Sequence, residues 1–153
     1  MVSGRRSAMR TLYLLDSGVI LRELRGDQRA AELLDHLAQA GVLHVSVVTL
    51  TETLVGCRNP DEESAAMDLF ARVSPIPVDE DAAIEAATLI RRYPGVFGRE
   101  VSRGTADAFI AGTAIQRQMK LVTLNRRHFA TVPIAGLDPL VIIQDSASWL
   151  PSP

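Results

Sequence analysis

The chain has 153 residues, of which 47% are hydrophobic and 22% charged, and its formal net charge is −2. This length predicts one domain, and the near-neutral charge argues against a basic coat that binds nucleic acid over the whole surface. A local basic patch remains compatible with these totals. The single cysteine, Cys57, excludes an internal disulfide and is typical of a reducing cytoplasm.

The sequence has no pattern that predicts a membrane span or a signal peptide. No apolar run approaches the roughly 18–20 residues that span a bilayer, so we expect no membrane partner. The first residues are basic, but Asp16 interrupts the apolar stretch behind them and leaves it too short for a signal peptide. We predict a disordered extension over residues 1–9 and a single domain over residues 10–150.

Strand patterns and helix patterns alternate along the chain. Apolar runs predict short strands over residues 11–15, 43–48, 76–78, 121–123 and 140–143. Helical spacing of apolar residues predicts helices over residues 27–40, 49–56, 60–73, 79–92 and 105–119, with a loop over residues 95–104. This alternation predicts an α/β fold, a three-layer sandwich with a central, mostly parallel sheet of about four to five short strands flanked by helices.

Three acidic residues lie where predicted strands or loops lead into helices. Asp16 follows the first strand, Glu52 comes soon after the second, and Asp107 opens a helical stretch. In an open α/β sheet such junctions meet at one edge, where ligands bind. Carboxylates gathered there repel one another unless a cation lies between them. The pattern therefore predicts a divalent-metal site of the kind that hydrolyses phosphodiesters, with Mg²⁺ or Mn²⁺ favoured over zinc by the oxygen ligands.

Each of these acids also has a purely structural interpretation. Asp16 is placed to cap the helix that follows it. Thr49 and Glu52 have the Thr-x-x-Glu spacing of a capping box. Asp107, two residues after Thr105, is predicted in the first turn of its helix, where negative charge is favoured. Capping and metal binding do not exclude each other, so both remain open.

Four segments stand in a specific order along the chain, at residues 14–17, 46–52, 107–111 and 121–129. In the first, a hydrophobic strand ends in Asp and Ser; the second and third carry the other two acids; the fourth is a short strand followed by Asn-Arg-Arg-His-Phe. This series resembles the PIN-domain ribonucleases, in particular the VapC-like toxins of toxin–antitoxin pairs. The resemblance runs from about residue 11 to residue 143 and implies a PIN-like fold.

The resemblance also implies an activity, the metal-dependent hydrolysis of RNA. Asp16, Glu52 and Asp107 would hold Mg²⁺ or Mn²⁺, and Asn125 would order a metal-bound water. Ser17 would support the Asp16 carboxylate, or it simply begins a helix. Basic side chains that would contact RNA phosphates, unless they only form a solvated loop surface, are Arg99, Arg103, Arg126 and Arg127.

Two positions depart from the family pattern. Gly18 stands where a polar Ser or Asn is usual. The fourth segment often carries an additional acid, and here Asn125 and His128 occupy the corresponding positions. His128 would donate to a phosphate or, in the interpretation that we favour from sequence, lie on the surface of a short turn. The missing acid weakens a second metal position.

The resemblance implies two protein partners, a small antitoxin that covers the acidic pocket and a second copy of the chain. Three other classes compete with the ribonuclease. A catalytically impaired PIN-like interaction module would keep the fold but hold no Mg²⁺. A haloacid-dehalogenase-type phosphatase needs a second Asp where Gly18 stands. A response-regulator receiver needs a late Lys after a strand, whereas Lys120 precedes its strand.

Overall fold

This computed structural model describes residues 9–98 and 101–152, with the side chains of residues 101–103 left out. Five strands in this part of the chain form one sheet: β1 (Thr11–Leu15), β2 (Gly41–Ser46), β3 (Pro75–Ile76), β4 (Lys120–Thr123) and β5 (Asp138–Val141). The strands pair in parallel in the order β3-β2-β1-β4-β5. The predicted α/β architecture with a parallel central sheet is confirmed.

Helices connect these strands. They are α1 (Ser17–Leu24), α2 (Gln28–Ala40), α3 (Val47–Gly56), α4 (Pro60–Val73), α5 (Glu80–Arg92), α6 (Pro94–Phe97), α7 (Val101–Gln116) and α8 (Arg126–Phe129). The longer ones begin at side-chain caps that the sequence supplies, such as Asp27 before α2, Asn59 before α4 and Asp79 before α5. None of the described helices is both long enough and apolar enough to cross a membrane.

The sheet separates two hydrophobic cores, because successive side chains of a strand point to opposite faces. Tyr13 and Leu15 of β1 pack on one face with residues of α1, α2 and α4. Leu14, between them, packs on the other face with residues of α5, α6 and α7. These two layers of helices and the sheet between them make the predicted three-layer sandwich.

The strand order reverses between β1 and β4. From β1 the chain moves outward to β2 and β3 on one side, then crosses to β4 and β5 on the other side. The backbone N–H of Asp16 donates to the Val122 carbonyl at 2.9 Å, which joins the ends of the two central strands. Ligands of open α/β sheets bind outside the carboxyl ends of the strands at such a switch point.

The start of α3 differs from the sequence prediction. β2 begins at Gly41 and ends at Ser46, whereas the prediction placed this strand at residues 43–48. The Ser46 hydroxyl accepts a hydrogen bond from the Val48 N–H at 3.1 Å, so the helix begins at Val47. Thr49 therefore lies inside the helix.

This earlier start overturns the predicted capping box. In a capping box the Thr is the residue just before the helix and the Glu stands at its third position. Thr49 is instead a buried residue of α3, and Glu52 lies in the middle of the helix. The Thr-x-x-Glu spacing of these two residues has no capping role.

The predicted loop over residues 95–104 is also wrong, because it contains α6 and the start of α7. Pro94 begins α6, since proline suits the first helical position, where no intrahelical N–H is needed. Gly104 lets α7 pass close to α6, because a Cβ at this position would overlap the Phe97 carbonyl. With α7 starting at Val101, Asp107 lies in its second turn, beyond the first-turn position that the sequence suggested.

Smaller shifts affect other boundaries. α7 ends at Gln116, β3 covers Pro75–Ile76 and β5 covers Asp138–Val141, against predictions of 119, 76–78 and 140–143. Element ends depend on which backbone hydrogen bonds form, which apolar spacing alone does not decide. Residues 1–8 of the predicted N-terminal extension lie outside the described residues.

Candidate functional site

Asp16 lies at the switch point, directly after β1. Its side chain is only 5% exposed, and it accepts hydrogen bonds from the Ser17 N–H at 2.8 Å and from the Thr123 hydroxyl at 2.7 Å. Burial raises the pKa of Asp16, and the nearby charge of Asp107 adds to this, while the hydrogen bonds from Thr123 and Ser17 act in the opposite direction. Asp16 also caps α1, so its structural and functional interpretations coexist.

Glu52 and Asp107 come to the same place from two different helices. Glu52 lies on α3 at an exposed position, and Asp107 lies on α7 with a side chain that is 23% exposed. Partial burial raises the pKa of Glu52, and the negative charges of Asp16 and Asp107 raise it further. The three predicted acids therefore lie close enough for their charges to interact, although they are far apart in the sequence.

The turn between β4 and α8 connects two of these acids through a chain of polar contacts. The Thr123 hydroxyl that donates to Asp16 also accepts from the Asn125 N–H at 3.0 Å. The Asn125 side-chain oxygen accepts from the His128 N–H at 3.1 Å and so caps α8. The His128 Nδ1 lies 2.8 Å from an Asp107 carboxylate oxygen. One short turn thus contacts both Asp16 and Asp107.

His128 is therefore not the surface residue that we favoured from the sequence. Its side chain is 23% exposed, contacts Asp107 and stands edge-on to the ring of Phe129, with 6.2 Å between the ring centroids. The cap at Asn125 curls the chain into α8 and turns His128 inward. The inward position of His128 depends on its contact with Asp107 of α7, a helix that lies near α8 only in the folded chain.

Thr123 is a site residue that the sequence analysis did not single out. It appeared only as the last residue of a strand. The usable signal was its position, because a hydroxyl two residues before an Asn at the end of a strand is able to bond to the backbone of the turn. Its bond to Asp16 spans 107 positions of the sequence and could not be predicted from local pattern.

Two of the four predicted RNA-binding arginines flank this turn. Arg126 and Arg127 are exposed on α8, and neither takes part in an ion pair with another described residue. Arg99 lies outside the described residues. The backbone of Arg103 belongs to α7, and its side chain also lies outside the described part.

The donor set of the site suits a hard divalent cation. Among the described residues, no three Asp, Glu, His or Cys side chains stand at the spacing of a complete metal cage. Mg²⁺ does not need one, since it usually takes one or two carboxylates and fills its other positions with water and substrate phosphate. Burial is the main cause of the raised pKa values of Asp16 and Glu52, and repulsion by Asp107 raises both further, a repulsion that a cation would relieve.

A groove of about 740 Å³ lies between α1, α3 and α4. Its walls include Leu21 and Leu24 of α1, Thr53 of α3, and Asp61 and Ala65 of α4. Thr53 directly follows Glu52, so the groove lies along the helix that carries this carboxylate. Its walls combine apolar side chains with charged ones.

The chain is similar in sequence to a known protein family and to curated proteins. Residues 13–134 match the PIN domain family. The chain is 34% identical over 118 residues to Ribonuclease VapC10 of Mycobacterium tuberculosis, covering 77% of this chain and 86% of the relative. It is 36% identical over 126 residues to Ribonuclease VapC19 of the same organism, covering 80% and 95%.

Among solved structures, the fold is similar to that of DNA-bound VapBC from Salmonella typhimurium. The TM-score is 0.67 at 25% sequence identity, and the match covers 86% of this chain and 98% of that chain. The match to the family contains all four segments, from the strand before Asp16 to the turn at His128.

Proposed function

Because the chain belongs to the PIN domain family, we propose that it is a metal-dependent ribonuclease that acts as the toxin of a toxin–antitoxin pair. The relatives named ribonucleases support the reaction. The observation that carries the proposal is the convergence of Asp16, Glu52 and Asp107 beside the switch point of the sheet. Membership of the PIN domain family excludes the phosphatase and receiver alternatives.

In this proposal Asp16, Glu52 and Asp107 hold Mg²⁺ or Mn²⁺. When bound, the cation would activate a water for attack on the scissile phosphate and neutralise the charge that develops there. The Ser17 N–H and the Thr123 hydroxyl hold Asp16 in place, each donating to a different carboxylate oxygen. Each oxygen therefore keeps a second lone pair for another partner. Asn125 keeps the turn beside the site in shape, and no protein nucleophile is required.

Arg126 and Arg127 would bind the phosphates on either side of the cleaved bond. Their exposure on α8, next to the acidic site, leaves both guanidinium groups available to a backbone that passes over the turn. Arg99 and Arg103 would extend this contact. Phosphate contacts orient a nucleic acid but do not read its bases, so these arginines would set affinity more than sequence preference.

The antitoxin would be a small protein with a segment that lies along the groove between α1, α3 and α4. The similar Salmonella structure is a VapBC complex, which supports a partner of this kind. A basic side chain of that segment would pair with the site carboxylates and take the place of the cation electrostatically. A homodimer remains a prediction. So does a cytoplasmic location, which is consistent with an RNA substrate and with the unpaired thiol of Cys57.

The direct test is cleavage of total cellular RNA by the purified protein. Fragments should form with Mg²⁺ or Mn²⁺ and not with EDTA. Asp16→Asn and Asp107→Asn should each lower the rate at least about 100-fold, beyond the ~10–100-fold that is typical of residues that only support a metal ligand. Asp35→Asn, the same change at an exposed position on α2, is the matched control and should cleave like the wild type.

Either of two results would contradict the proposal. If Asp16→Asn or Asp107→Asn cleaved RNA at the wild-type rate, the assignment of the carboxylates would be wrong. If folded, antitoxin-free wild type left RNA intact and bound no Mn²⁺, the chain would be the impaired interaction module.

A further inference from the structure

The contacts of His128 suggest a function for a residue that the activity does not obviously require. Asp107 lies on α7, which precedes β4, whereas His128 lies on α8, which follows β4. The 2.8 Å contact between His128 Nδ1 and Asp107 Oδ2 is a direct link between these two elements at the site. Resting on the function proposed above, we propose that His128 is a positioning residue, which holds the Asp107 carboxylate through its Nδ1–H and so strengthens binding of a divalent cation.

The neighbours of His128 determine which ring nitrogen carries the proton. Nδ1 lies 2.8 Å from the Asp107 carboxylate and 2.9 Å from Asn125 Nδ2, and it cannot donate to the first while it accepts from the second. A carboxylate is acceptor-only, and its negative charge strengthens the bond from an N–H donor. This assigns the proton to Nδ1.

The orientation of the Asn125 amide is fixed by the backbone of His128, so this amide turns its NH₂ group, not its oxygen, towards Nδ1 and does not accept the Nδ1 proton. Its oxygen accepts from the His128 backbone N–H at 3.1 Å, and a flip would place the NH₂ group against that donor. Asn125 therefore shapes the turn with its oxygen, and the His128 ring is left to bond to Asp107. The ring is further fixed by its edge contact with Phe129, which is buried.

A carboxylate whose orientation is fixed in advance binds a cation more tightly than one that must be ordered on binding. Asp16 has such fixed donors in Ser17 and Thr123. Through the chain Thr123–Asn125–His128, the same turn reaches Asp107. Asp16 and Asp107 are thus held relative to each other by one turn, although they belong to different elements.

The hydrogen bond itself is measurable in the metal-free protein by NMR of the imidazole nitrogens. We expect Nδ1 of His128 to be protonated in EDTA, with a slowly exchanging proton at low field. In Asp107→Asn this proton should lose its low-field position. Protonation of His128 at Nε2 alone, with Nδ1 accepting from Asn125, would overturn the proposal.

The effect on the cation is measured by Mn²⁺ titration, alongside RNA cleavage and the melting temperature. His128→Leu should weaken Mn²⁺ binding and lower kcat/KM by about 10–100-fold, the loss typical of residues that orient a metal ligand. His128→Asn, which keeps an N–H donor near the Nδ1 position, should recover Mn²⁺ affinity to within about 3-fold. His36→Leu, at an exposed position on α2, is the matched control and should change neither.

A double variant separates positioning from a structural effect. In an Asp107→Asn background, adding His128→Leu should weaken Mn²⁺ binding no further, because the carboxylate that it positions is gone. If His128→Leu alone lowered the melting temperature but bound Mn²⁺ like the wild type, the role would be structural and the proposal wrong. If the wild type neither bound Mn²⁺ nor cleaved RNA, the proposed function would fail together with it, a pattern distinct from a failure at His128 alone.

Discussion

The Asp16 carboxylate is almost fully buried, and its burial makes the stability of the protein depend on pH. Burial raises its pKa above the ordinary value of 3.8, because the folded protein disfavours the charged form. Below that ordinary value Asp16 is neutral in both the folded and the unfolded chain. As the pH rises through the raised folded value, ionisation favours the unfolded chain and stability is lost.

Asp16→Asn should therefore stabilise the metal-free protein at pH 7. We expect a rise in melting temperature of about 2–4 °C, the shift that roughly 1 kcal/mol produces in a domain of this size. The gain should shrink as the pH falls towards 4, where Asp16 itself becomes neutral. Thermal unfolding in EDTA at several pH values measures this, with Asp35→Asn as the control.

Added Mg²⁺ should reverse the order of the two proteins. A cation that binds only the folded wild type raises its melting temperature, whereas the variant lacks one of the three proposed ligands. A melting temperature of Asp16→Asn below that of the wild type at pH 7 in EDTA would contradict the predicted stabilisation of the metal-free protein. It would mean that the hydrogen bonds from Thr123 and Ser17 to the charged carboxylate outweigh the cost of its burial.

At the scale of elements, α3 contains a polar group without a hydrogen-bond partner. The Thr49 hydroxyl is buried, and no described residue bonds to it. Thr53, one turn later and also buried, donates to the Thr49 carbonyl at 2.8 Å. A buried polar group without a partner costs about 1–3 kcal/mol, so these two threonines should respond differently to the same substitution.

Thr49→Val should raise the melting temperature by about 2–4 °C, because the isosteric side chain removes an unpaired hydroxyl. Thr53→Val is the matched control on the same helix and should not stabilise, since its hydroxyl is satisfied. Thermal unfolding of the two variants measures the difference. An equal change in both, or destabilisation by Thr49→Val, would show that the Thr49 hydroxyl has a partner in solution.

Elements were easier to predict from the sequence than their ends. The apolar period correctly indicated all five strands and the major helices, because it reflects which face of each element is buried. The start of α3 was misplaced, since Ser46 and Thr49 are both good cap residues and only the backbone geometry selects Ser46. Likewise α6 and the start of α7 occupy a stretch where Pro and Gly suggested a loop.

At the scale of the whole molecule, the two ends of the described part of the chain make very different contacts. Met9, the first described residue, is 97% exposed, and Arg10 donates to the Gly41 carbonyl at 3.1 Å. At the other end Trp149 is 3% exposed and packs in the core beneath α2. The Arg29 guanidinium lies 4.6 Å from its ring and donates to two carbonyls of the same C-terminal segment.

Removal of residues 1–8 should change the melting temperature by less than about 2 °C, the lower end of the shift that 1 kcal/mol produces. Removal of residues 145–153 should lower it by at least about 6 °C, since the loss of a buried Trp costs about 3–5 kcal/mol. Thermal unfolding of the two shortened chains measures this. Equal effects of the two truncations would contradict a domain that extends over residues 10–150.

The sequence by itself determined the fold class and was enough to propose the three acids, because both depend on local patterns. Hydrophobic periodicity identifies strands and helices, and Asp16, Glu52 and Asp107 are recognisable at or near the junctions between them. Parallel strands then bring such junctions to one edge, so their convergence was predictable from the fold class alone.

Only the tertiary structure decided how the carboxylates are held. Thr123 bonds to Asp16 across 107 positions of the sequence, and His128 bonds to Asp107 across 21. Neither bond has a local signature, because each depends on how β4 and α7 pack around the switch point. Periodicity in a sequence encodes which side of an element is buried, but the partner of a polar side chain is set by the three-dimensional approach of elements that are distant along the chain.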